Sequence, residues 1–231
     1  GSRLFQALTT IRNDELRPRK ELPAISAREK TLALGATMTV GEFMLPNPLS
    51  QFLHRHPGRQ IRLTVDNTAN LLSLLERGTL DAAMIEGYFP SENFDALIWQ
   101  REKFIPVCAA GHSFSSPPAT VSDLYQETLI LREPGSGTRE ILEMYLRDRN
   151  SDIRRFACIQ VISNMNAIRI LTENDCGITF LYESVVRDAL RRGTIRQIRL
   201  EDFDVTHNIS FIWRKNSLFS DEYRAIFREL A

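Results

Sequence analysis

Residues 31 to 87 and residues 128 to 184 follow one plan, and that repetition limits the fold more than any single motif. "TLALG" is a short apolar strand, and "ATMTVGEFML" after it supplies small polar residues and then an apolar helix. "TLILR" and "EPGSGTREILEMYL" do the same in the second stretch. "IRLTVDNTANLLSLLERG" alternates and then turns helical, and "CIQVISNMNAIRILTEN" answers it, with Asn70 matching Asn166 and Leu75 matching Leu171 at an offset of 96. "LDAAMIEG" and "CGITFLYES" close the two halves as buried strands. Each half therefore reads strand, helix, strand, helix, strand, the order of a parallel sheet with crossover helices. Two α/β units of roughly 90 to 100 residues fit the usual size of a domain.

The segments outside the repeat say how the halves connect. "KFIPVCAAGHSF" joins them, and its middle is too apolar for a loose linker. The chain leaves the second half near "IRLEDFDVTHNISFIW"; the strand "HNISFIW" and a helix carrying Tyr223, Ile226, Phe227 and Leu230 have no counterpart in the repeat. The economical solution returns them to the first half. The expected organisation is subdomain I from residues 31–108 plus 207–231 and subdomain II from residues 109–206. A two-strand hinge joins them, with a cleft at the carboxyl ends of the strands. Ahead of them, residues 1–30 read as a "GS" cloning scar, an amphipathic segment with Leu4, Phe5, Leu8, Ile11 and Leu16 near helical spacing, and a charged linker.

Composition removes several classes of function. Lysine plus arginine equals aspartate plus glutamate, 29 against 29, so the net charge gives no electrostatic reason to hold nucleic acid or an acidic membrane. No apolar run is long enough to span a bilayer, and there is no signal peptide. Cys108, Cys158 and Cys176 cannot all pair within one chain, and none sits in a CxxC motif. Buried, reduced thiols in a cytoplasmic protein are the expectation, with a redox pair between Cys158 and Cys176 as the alternative.

The stretch "REPGSGTRE" carries the sharpest local signal. Gly135 and Gly137 allow backbone angles forbidden to other residues. Ser136 or Thr138 offers a hydroxyl to cap the helix carrying Ile141, Leu142, Tyr145 and Leu146. Such a turn is a ready place for a small anion, although a plain βα turn with a good cap has the same sequence. Other constellations fail. His54 and His56 stand before Pro57 without a carboxylate or cysteine at ligand spacing, which reads as a solvated helix end. "GxSxG", "GxGxxG" and "GxxxxGK" do not occur. Glu86 and Glu133 fall near the expected cleft rims, but nothing pairs them for acid–base work. The run "LLSLLE" is core helix, being barely two turns long.

Together the order and spacing of these pieces resemble the effector-binding domain of LysR-type transcriptional regulators. The resemblance runs from about residue 30 to 231 and rests on Gly35, Thr37, Thr39, Leu45, Pro46, Leu49, Phe52, His56, Pro57, Gly78, Leu80 and Asp81, with "REPGSGTR" and "PVCAAGHSF" further on. It implies an α/β fold of two Rossmann-like subdomains, periplasmic-binding-protein-like (type II), with a small effector bound between them. It also implies an N-terminal winged helix-turn-helix beyond this sequence, a linker helix ending at residues 4–16, and dimers or tetramers. Two departures stand out: the stretch Asn13 to Lys30 is long and charged for the family, and Met38 occupies a place where a small polar residue is common.

The implied effector site draws on four segments: "ATMT" with Thr37, Met38 and Thr39; "DNTAN" with Asn67, Thr68 and Asn70; "PGSGTR" with Ser136, Gly137 and Thr138; and "SNMNA" with Ser163, Asn164 and Asn166. Each has a bland use as well. One of the two threonines is expected to serve as an N-cap, and Asn and Thr are common turn formers. Arg139 is a candidate partner for an anion or an exposed helix arginine. Two facing helix N-termini would favour a small negatively charged ligand, a carboxylate or inorganic anion, with no cofactor and no metal. A solute-binding protein of a transport system and, behind it, a dehydratase-like enzyme are the rival functions on the same fold. An odd number of cysteines argues against export, and the enzyme lacks an acid–base pair.

Overall fold

Every residue of β1 (Leu32–Ala36) is buried, as the unalternating run "LALGA" requires of a strand covered on both faces. The computed structural model describes residues 31–231; the amphipathic segment expected at 4–16 and the linker to residue 30 lie outside the described residues. Strand β1 lies between β2 (Ile61–Val65) and β3 (Ala82–Ile85), parallel to both, with Leu34 level with Leu63 on one side and Ala82 on the other. Parallel neighbours need helical crossovers. These are a short π-helical turn (Val40–Met44) leading into α1 (Pro46–Arg55), and then α2 (Thr68–Glu76). Pro46 opens α1 where the missing N–H has no intrahelical partner to lose.

Gly35 stands within β1 rather than after it. A Cβ there would lie 2.7 Å from Leu80 Cδ1 and 3.1 Å from Ala83 Cβ, so close packing, not a turn, demands glycine. Leu71 and Leu75 on α2 join Leu80, Ala83, Ile85, Phe94 and Ile212 in the core beneath, as expected for "LLSLLE".

The chain forms two compact units: one runs to Gln100 and resumes at Ile209, and the other is Arg101–Asn208. Both divisions fall inside strands, β4 (Phe94–Ala109) and β9 (Val205–Arg214). In the first unit β9 lies antiparallel to β3, Ala82 opposite Trp213. The closing helix α6 (Ser220–Leu230) buries Tyr223, Ile226 and Leu230, with Tyr223 beside Trp213 at 6.1 Å between ring centres.

The second unit repeats the arrangement. Strand β5 (Thr128–Leu131) pairs in parallel with β6 (Cys158–Val161), and on its other side bridges Leu129 to Ile178, the residue before β7 (Thr179–Tyr182). The crossovers are α3 (Gly137–Arg147) and α4 (Met165–Glu173). Strand β7 then lies antiparallel to the second half of β4, and α5 (Glu183–Arg192) leads to β8 (Ile195–Gln197), also on β4. Phe104, Tyr145, Phe180, Tyr182 and Phe203 pack edge to face at the centre, with ring centres 4.6 to 6.4 Å apart. Gly177 must be glycine: its φ is +151° and a Cβ would meet Thr128 O at 2.5 Å.

Candidate functional site

In each unit the first strand is flanked by the second on one side and the third on the other, so consecutive connections leave it in opposite directions. The carboxyl ends at such a reversal form the crevice where α/β sheets take ligands. In the first unit that point lies between β1 and β3, and in the second between β5 and the segment entering β7.

At the first point Thr37 follows β1 and Glu86 follows β3, brought together by the parallel register of Ala36 with Met84. Both are buried, at 2% and 1% exposure, so Glu86 is not a rim residue as its position in the sequence suggests. The Thr37 hydroxyl donates to the Glu86 carboxylate, and the Thr68 hydroxyl donates to the Glu86 carbonyl oxygen at 3.0 Å. Asn67 caps α2, its side-chain oxygen accepting from Asn70 N at 2.9 Å, while Asn70 itself is exposed. Met38 is half-buried.

Thr39 behaves differently. It occupies the N-cap position of the π-helical turn but makes no side-chain cap bond. Its side chain is wholly buried, and Oγ1 has no hydrogen-bond partner. The expectation that one of the two threonines caps the helix is thus corrected: Thr37 is committed to Glu86, and Thr39 is held in αR backbone with φ −55°, unlike the extended backbone of an ordinary N-cap.

The second unit shows the same pairing of used and unused groups. Asn164 caps α4 by accepting from Ala167 N at 2.8 Å, and Asn166 and Ser163 are exposed. Ser136 occupies the N-cap of α3 with φ −77° and ψ 129°, yet its hydroxyl makes no cap bond. It is 2% exposed, and its Oγ is without a partner. Of the two glycines, Gly135 takes positive φ, +88°, whereas Gly137 is the first helical residue of α3 and does not need the freedom expected of it. Thr138 is buried beside it. Arg139 pairs with Glu143 at 2.7 Å and donates to Arg132 O, so its charge is already answered.

The sequence gave no sign of two other groups here. Arg132, 2% exposed at the end of β5, meets Glu133 with both Nε and Nη2 at 2.8 Å. Ser184, just past β7, donates its amide to Glu102 at 2.8 Å and keeps a buried hydroxyl without a partner. Only the return of β7 beside β5 would have pointed to Ser184. The histidines expected to be solvated are partly engaged, His56 with Glu229 at 2.5 Å and His54 with Ser50 O at 2.8 Å. No group of His, Cys, Asp and Glu suited to a metal occurs among the described residues.

The cysteines depart from expectation. Cys108 is buried, and burial pushes its thiol up to about 11 despite the opposing pull of Arg196. Cys158 and Cys176 are exposed. Strand β5 runs between them, pairing with Cys158 on one side and receiving Ile178 N on the other at Thr128 O. Two strand spacings of about 4.8 Å exceed the Cα separation a disulfide spans.

Residues 26–231 match the model of the LysR substrate binding domain. The chain belongs to that family. As a LysR substrate-binding domain it is 28% identical over 163 residues to an uncharacterized HTH-type transcriptional regulator, YeiE, of Escherichia coli, covering 71% of this chain and 55% of that protein. It is 26% identical over 204 residues to a phosphonates import ATP-binding protein of Anaeromyxobacter dehalogenans, covering 87% and 40% respectively. The chain therefore spans about half the length, or less, of these curated relatives. Among solved structures, the Synechocystis CcmR regulatory domain in complex with 2-PG superposes with a TM-score of 0.74 at 18% identity, covering 87% of this chain and 95% of that one. That likeness fixes the fold of this LysR-type domain as α/β and periplasmic-binding-protein-like.

Proposed function

We propose that this LysR-type domain is the sensor of a DNA-binding transcriptional regulator, and that it binds a small, negatively charged effector through its strand-to-helix turns. The observation carrying the proposal is the pair of buried hydroxyls without a partner, Thr39 Oγ1 and Ser136 Oγ. A buried polar group left unsatisfied costs free energy that a ligand restores. Thr37, Met38, Asn67, Thr68, Gly137, Thr138, Asn164 and Asn166 border these turns and complete the binding set. Effector binding biases the domain between conformations, and a homo-oligomer passes the bias to DNA-binding heads in the cytoplasm. The domain binds without turnover: Glu133 is tied to Arg132 and Glu86 to Thr37, leaving no acid–base pair.

A thermal-shift screen against small carboxylates, phosphate, sulfate and amino acids tests this. A ligand at a hundredfold excess over Kd stabilises by roughly 2.7 kcal/mol, and Thr39→Val with Ser136→Ala abolishes that shift. A full shift in the double variant defeats the placement. The match to a phosphonates import protein over 87% of this chain favours a second reading, a ligand-binding part of a transport system. Operator binding by the complete gene product separates the two.

A further inference from the structure

Resting on the sensor reading, the first-unit turn also says what kind of anion belongs there. A hydroxyl owns one hydrogen, and Thr37 has given its own to Glu86. Toward a ligand Thr37 presents lone pairs only. Glu86, as a carboxylate, is likewise an acceptor, with one oxygen taking the Thr37 hydrogen. Two residues further along, Thr39 is wholly buried with a hydroxyl that nothing occupies. The turn therefore combines one uncommitted donor with a buried acceptor pair. A bare oxyanion satisfies the donor but faces the carboxylate with lone pair against lone pair and charge against charge, at a site where water does not screen them. A neutral amine or alcohol satisfies the acceptors and leaves the domain's anion-binding donors unused.

The geometry points to an effector that carries a hydrogen beside its negative charge, donated to Glu86: a hydrogen-bearing oxyanion such as hydrogen phosphate or a phosphonate, or a hydroxy acid. Fully deprotonated oxyanions of the same shape are rejected. Phosphate and sulfate are the discriminating pair, since both are tetrahedral and at neutral pH only phosphate retains a hydrogen; glycolate and acetate repeat the comparison on carbon.

The experiment is isothermal titration of the 231-residue chain with these four probes, repeated on Glu86→Gln and Thr37→Val. Hydrogen bonds to charged groups bring phosphate and glycolate at least about tenfold tighter binding than their partners. Glu86→Gln, whose amide donates as well as accepts, collapses that ratio toward one and admits sulfate. Thr37→Val retains the preference, because Glu86 remains. Sulfate binding as tightly as phosphate to the unsubstituted chain overturns the inference while leaving the sensor reading standing, and needs no variant to fold. A preference that survives Glu86→Gln also overturns it, since the hydrogen is then read elsewhere. Failure of all four probes to bind removes the anionic effector itself, and this inference with it.

Discussion

Replacing Thr39 with valine exchanges a hydroxyl for a methyl group of similar size, in a side chain with no exposed surface. In most buried positions that change destabilises, because a hydrogen bond is lost. Here Oγ1 has no bond to lose. Burying a hydroxyl without a partner costs about 1 to 3 kcal/mol, and valine removes the cost. Thr39 holds helical backbone, φ −55° and ψ −50°, where threonine and valine have similar propensities, so backbone preference does not reverse the sign. The free domain should gain about 1 to 2 kcal/mol, raising the melting temperature of the first unit by roughly 2 to 8 °C. Effector affinity should fall about tenfold, the value of one hydrogen bond to a charged group. Calorimetry with and without effector reads both quantities on one sample. A melting temperature below that of the parent would falsify the reasoning, because it would mean the hydroxyl is bonded in the free protein and serves the fold.

Thr37→Val should behave oppositely in a urea melt, losing about 1 to 3 kcal/mol as Glu86 is stripped of its donor; a neutral result would show the pair contributes nothing. Gly177→Ala should destabilise the second unit by at least about 2 kcal/mol, combining positive φ with a backbone collision at Thr128 O, and an unchanged transition would contradict that register. Under native conditions a thiol reagent should label Cys158 and Cys176 quickly and Cys108 only on unfolding, and oxidised protein should show no Cys158–Cys176 bridge by peptide mapping. Because Cys108 is held neutral to about 11 in the fold against 9.0 for an ordinary thiol, its contribution to stability is whole below about pH 9 and is lost as the pH rises toward 11. Cys108→Ala should flatten that alkaline slope, and a variant with the same slope would place its origin elsewhere.

What the sequence disclosed divides along the range of the interaction. Asn67 and Asn164 each cap a helix by reaching a backbone amide three residues on, a local geometry written in a few letters. The strands and helices of the repeat are legible for the same reason, since apolar spacing reports burial. The pairing of Thr37 with Glu86 spans 49 residues and exists only because β1 and β3 lie in parallel register, so no local pattern announces it. The exposure of Cys158 follows from β6 having β5 on one side and no described strand on the other, which its letters do not show either.

The turns after β1 and β5 are where the local rules stop predicting. Capping is the ordinary use of a serine or threonine at a helix start, and this chain takes that option with asparagine at the turn following the second strand in both units. At the turn following the first strand it takes it in neither: Thr39 and Ser136 both stand at cap positions, both are buried, and both leave the hydroxyl unbonded. They arrive there through unrelated local sequences, "ATMT" with no glycine inside the turn and "PGSGT" with two, and through different backbone, αR in one and extended in the other. A capping defect arising by chance has no reason to recur at the equivalent point of each unit. A hydroxyl kept for a ligand has one, because the carboxyl end of the first strand is where the connections of each sheet part and leave room.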